Sequence, residues 1–119
     1  MSNQEIKIIT KIIREISLFF LIHGHKELTI ETRLESEVTL FIATIKHPKD
    51  NLLDKMKEKI NRERELEVET YGWELVGDID ESSELEIVSL LIDDMTVEKK
   101  ENHTVITLRR TNRYKPKRK

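Results

Sequence analysis

"LTIETRLESEVTLFIATIKHP", residues 28 to 48, decides how the rest of the chain is arranged. Leu28, Ile30, Thr32 and Leu34 alternate with Thr29, Glu31, Arg33 and Glu35, the period-two pattern of a strand with one side on a core and one in water. Val38 to Ile45 is β-branched and almost continuously apolar, as an inner strand is, and Leu34-Glu35-Ser36-Glu37 supplies the turn. The stretch therefore reads as a hairpin with one half-exposed strand and one more deeply buried strand.

Before this hairpin, Ile6, Ile9, Ile13, Ile16, Phe20 and Leu21 recur every three or four residues, with Ile8, Ile12 and Phe19 widening the stripe. The spacing predicts a long helix over residues 5–22. Gly24 stands where a left-handed residue ends a helix, and His23, His25 and Lys26 bring cations or potential cations to the negative end of its dipole. After the hairpin, Pro48 stops the strand, and Asp50 or Asn51 can cap a helix that carries Leu52, Leu53, Met56 and Ile60 on one side.

Residues 61–84 mix charges with Leu66, Val68, Tyr71, Trp73, Leu75 and Val76 without a clear period. Ser82 or Ser83 then caps another helix, with Leu85, Val88, Leu91, Ile92 and Met95 on one face and Asp93-Asp94 on its surface near the last turn. Two alternating runs around Glu101-Asn102-His103 predict a closing hairpin. Helix, hairpin, helix, helix and hairpin in that order imply an α+β chain, a two-layer α/β sandwich with helices on one face of a mainly antiparallel sheet.

The 119 residues fit one domain, read as residues 1–110 with a basic tail at 111–119. Hydrophobic and charged residues each make up 37%, which is enough apolar material for a core under a highly charged surface. Without Cys there is no disulfide, thiolate nucleophile or thiolate zinc site, and a reducing, cytoplasmic location is expected. Charges interrupt the first 17 residues, so no secretory signal is expected. The longest apolar run, Leu18 to Ile22, falls far short of the ~20 residues that span a bilayer, so no membrane segment is expected. The net charge of −2 conceals an asymmetry: seven cations and no acid follow Leu108, which leaves about −9 on residues 1–108.

Two stretches carry a resemblance. "EISLFFLIHGHKE", residues 15–27, and "SSELEIVSLLIDDMTVEKKENHTVITLRR", residues 82–110, are similar to parts of the ATP-binding domain shared by gyrase, the heat-shock chaperone, histidine kinases and MutL, known as GHKL-type. The chain most closely resembles the small version in anti-sigma-factor kinases, and the likeness covers Ile6 to Arg109. It implies a histidine kinase-like ATPase fold, with Glu15 matching the family's catalytic acid and His23-Gly24 its His-Gly pair. Phe19 stands where the family holds magnesium with an Asn, and a phenyl ring offers that oxygen-seeking ion nothing. Ser82, Ser83, Glu84 and Glu86 replace the Gly-rich turn whose N–H groups approach the phosphates. Ile45 to Asp50 replaces the adenine-reading Asp and its glycines. All three nucleotide-contacting signatures are altered together, which implies a fold kept without its chemistry.

The reading that follows is a non-catalytic regulatory or adaptor module with a degenerate ATP site, no cofactor and no metal, acting on a protein partner and forming a homodimer as a further option. Tyr71 and Trp73 are its partner-binding candidates, since such aromatics anchor interfaces; core packing explains them equally well. One alternative is an active ATP-dependent serine kinase of the anti-sigma-factor type with Glu15 as base, although a carboxylate on a charged helix is more often solvated or ion-paired. A second is a nucleic-acid-associated protein using Arg113, Tyr114, Lys117 and Arg118, whose contacts would be weak and nonspecific. A solvated terminus is the plainer account of that tail. His23 and His25 read as helix-end residues, and His47 and His103 as isolated, solvated turn histidines.

Overall fold

The hairpin forms where its polarity pattern places it: β1 is Leu28–Leu34 and β2 is Val38–Ile45, paired antiparallel from Leu28↔Ile45 to Leu34↔Thr39. The computed structural model describes residues 2–62 and 85–111. Ahead of the hairpin lies α1, Asn3–Ile22; after it come α2, Asp50–Arg62, and α3, Glu86–Leu91, then β3, Asp94–Lys99, and β4, Thr104–Thr111. The four strands form an antiparallel sheet in the order β1-β2-β4-β3. The two hairpins are thus joined by β2 and β4, far apart in sequence and paired from Val38↔Thr111 to Ile45↔Thr104.

Strand parity divides the sheet into two faces. Phe41, Ala43 and Ile45 of β2, Ile106 and Leu108 of β4 and Met95 of β3 are buried with Ile8, Ile12, Ile16 and Phe20 of α1, Met56 and Ile60 of α2, and Val88 and Leu91 of α3. The described helices therefore share one face of the sheet. Val38, Leu40, Ile42 and Thr44 of β2, with Val105 and Thr107 of β4, lie half-buried on the other. β2 is the inner strand expected, but its burial alternates: its apolar character serves both faces, and the described helices cover one.

Three expectations change in the structure. The buried stripe of α1 runs through Glu5, Ile8, Ile9, Ile12, Glu15, Ile16, Phe19 and Phe20, whereas Ile6 and Leu21 are exposed. The sheet covers the helix face centred on Ile8, Ile12 and Phe19, about a quarter turn or more from Ile6 and Leu21. The third helix ends at Leu91, and Asp93-Asp94 leaves it for the sheet. There the Asp93 N–H donates to the Arg109 carbonyl, the Asp93 carboxylate accepts from the Thr111 N–H at 2.6 Å, and Asp94 pairs with Arg109 in register. Those bonds tie the segment to β4. Finally, β4 holds Arg109 and Arg110 as the closing run implies but goes one residue further, through Thr111, the first residue of the segment read as a tail.

The helix ends follow local chemistry. Ser2 caps α1, its Oγ accepting from the Glu5 N–H at 3.0 Å. α2 starts one residue before its expected cap: the Lys49 carbonyl takes the first N–H groups, from Leu52 at 3.1 Å and Leu53 at 3.3 Å. α3 starts on Leu85, in the left-handed region with φ 63° and without a side-chain cap; Ser82 and Ser83 lie outside the described residues. No helix among the described residues is long and apolar enough to cross a membrane.

Candidate functional site

α1 stops through hydrogen bonds that its last residues dictate. Gly24 takes φ +93°, which lets its N–H reach the Leu21 carbonyl at 3.1 Å and the His25 N–H reach the Phe20 carbonyl at 3.0 Å. Those two bonds are the paired closure of a Schellman motif. The accompanying contact is aromatic: the His25 ring stands edge-on to Phe20 at 5.5 Å, and the His23 ring tilts over Phe19 at 4.8 Å. His25 Nδ1 lies 3.3 Å from the same Phe20 carbonyl. A carbonyl only accepts, so in this hydrogen bond Nδ1 is the donor.

Glu15 is buried and ion-paired. Its side chain is 6% exposed, and its Oε2 lies 3.1 Å from Lys11 Nζ and 3.2 Å from Arg14 Nη1. Beside it, Phe19 and Phe20 are buried and meet edge to face at 5.2 Å. The interior between α1 and the sheet is packed at the positions where the resemblance puts an acid and a metal-holding amide. Among the described residues, no three His, Asp or Glu side chains converge in a way that would hold a metal ion.

A polar group that the sequence reading missed lies in the core. Arg110 is fully buried and donates from Nε to Glu5 Oε2 at 2.9 Å, from Nη2 to Glu5 Oε1 at 3.1 Å and from Nη1 to the Leu91 carbonyl at 2.8 Å. The planar guanidinium fits this fork, as an ammonium would not. Parity was the available signal: Arg110 is in phase with Ile106 and Leu108, and Glu5 with Ile8, Ile9 and Ile12.

The second missed feature is a pocket at the end of the sheet. Pairing of Leu28 with Ile45 sets the residues entering β1 beside those leaving β2. Between them is a cavity of about 420 Å³, lined by His23, Gly24, His25, Lys26, Glu27, Lys46, His47 and Lys49. Glu27 meets Lys46 at 2.9 Å, and the Lys46 hydrogen bond, aided by its charge, holds the Glu27 carboxyl below the usual carboxylate range. The pair's contribution is present above that range and is lost as the pH falls through the lowered value. His47 is exposed as expected but not isolated, since it shares this lining with His23 and His25. His103 sits in the β3–β4 turn, where its carbonyl accepts from the Lys100 N–H at 2.8 Å.

Tyr71, Trp73, Arg113, Tyr114, Lys117 and Arg118 lie outside the described residues. Comparison with protein-family models, curated proteins and solved structures finds no match to this chain.

Proposed function

We propose that this protein is a non-catalytic regulatory or adaptor module, a degenerate relative of the GHKL-type ATP-binding domain that works by protein contact. The observation that carries the reading is the packing of residues 15 to 20: Phe19 and Phe20 are core residues, and the Glu15 carboxylate is held by Lys11 and Arg14. A phenyl ring cannot ligate magnesium, and the Glu15 Oε2 is already engaged by Lys11 and Arg14. The order of helices and hairpins supports a histidine kinase-like arrangement of the sheet. The sheet face bearing Val38, Leu40, Ile42 and Val105 has no described helix on it and suits a protein partner, a second copy included. A cytoplasmic setting accords with the cysteine-free chain.

Calorimetric titration with magnesium ATP, run beside magnesium tripolyphosphate, tests the proposal. ATP is expected to bind no better than tripolyphosphate up to millimolar concentration. Micromolar affinity for ATP that tripolyphosphate does not share overturns the reading. The kinase alternative would then return, and phosphate transfer abolished by Glu15→Gln would establish it.

A further inference from the structure

We propose that the pocket between the α1 terminus and the β2–α2 turn binds a compact phosphate-type polyanion, a site separate from the protein-contact role and independent of it.

The charge of the lining is the first reason. Lys26, Lys46 and Lys49 face a single acid, Glu27, and three imidazoles complete the wall. With the imidazoles neutral the lining already carries a surplus of positive charge, on a chain whose net charge is −2. The composition of the wall is the second. Small-molecule pockets are usually apolar with a few polar groups, whereas none of these eight residues is aliphatic or phenyl. Each of the two segments that form the wall brings a cation for a hydrophilic anion, Lys26 from one and Lys49 from the other, while Lys46 is paired with Glu27. The volume of about 420 Å³ suits a ligand larger than a single halide, such as pyrophosphate or a small phosphorylated compound.

Backbone geometry gives a third, separate reason. His47 takes φ +48° although it is not glycine and stands directly before Pro48. Left-handed backbone is costly for a side-chain-bearing residue, and a following proline restricts it further. Strain of this kind collects where a side chain must be held in a particular place. Here the backbone holds an imidazole in the cation-rich wall. His25 is positioned too, with its Nδ1 3.3 Å from the Phe20 carbonyl and its ring edge-on to Phe20.

The test is a backbone-amide NMR titration of the full chain at constant ionic strength with pyrophosphate, and separately with phosphoserine, sulfate and chloride. Shift changes are expected within residues 23–27 and 46–49, for pyrophosphate and sulfate and not for chloride. Phosphoserine matching pyrophosphate would mark a phosphate ester as the ligand type; pyrophosphate binding much more tightly than phosphoserine would mark a free polyphosphate. Lys26→Ala and Lys49→Ala should each weaken binding about tenfold. His47→Gly should weaken binding while keeping or raising the unfolding temperature, which separates a binding role from a structural one. Shift changes spread over lysines across the surface, or affinity unaltered in both lysine variants, would overturn the site and leave the protein-contact reading untouched.

Discussion

Glu5 and Arg110 show how much one pair of residues can decide. Taking both charges out of water is expensive, and the fork of two hydrogen bonds with a third to the Leu91 carbonyl offsets that cost only while all partners remain. Glu5→Ala, which leaves a guanidinium buried without its carboxylate, should destabilise the fold by about 3–5 kcal/mol. Replacing both, Glu5→Leu with Arg110→Met, should cost far less than the two single changes together, because neither residual charge is then stranded. Urea unfolding of the four proteins in this cycle checks the prediction; additive losses would mean that the two side chains act separately. The pair could have been read from the sequence by phase, since both residues fall on the buried side of their elements. Treating every charge as a solvent residue concealed it.

At the scale of elements, boundaries were legible where two independent signals coincided. β1 and β2 have both alternation and a polar turn; the limits of β2 match the sequence reading, and β1 keeps Leu34, which that reading gave to the turn. α1 has an apolar stripe and Gly24, and it ends where that glycine allows. A Cβ placed on Gly24 would meet nothing within 4 Å, so the cost of Gly24→Ala is one of backbone conformation alone. We expect a loss of about 1–2 kcal/mol on thermal unfolding, with Gly24→Asn intermediate because Asn tolerates left-handed backbone better. Equal stability in all three would remove the Schellman closure as a determinant. α3 and β3 were not separable by pattern. Leu85, Val88, Leu91, Ile92 and Met95 are all buried, and their spacing fits a helix although the chain becomes a strand at Asp94. The decisive bonds run from Asp93 and Asp94 to β4, and no local period reports a partner about fifteen residues away.

For the molecule as a whole, α+β layering follows from the order of elements, but the pocket does not, because its walls come from two segments that meet only through strand register. Nor does the packing between α1 and the sheet show in composition alone; it depends on Phe19 and Phe20 both turning inward. The two-layer arrangement makes opposite forecasts for adjacent residues of β2. Phe41→Arg would put a charge under the helices and should prevent folding, whereas Ile42→Arg, on the face without a described helix, should leave a cooperative transition within about 1 kcal/mol of the parent. Circular dichroism during heating distinguishes them. If the two changes are equally damaging, the second face is as enclosed as the first.

The position of β4 between β2 and β3 also bears on how the protein is made. During synthesis the first hairpin leaves the ribosome with one rim of β2 unmatched, and the strand that will complete it emerges after more than fifty further residues. Until then the nascent chain offers an open template for stray strands and a half-roofed apolar floor, the kind of interval in which chaperones act and aggregation begins.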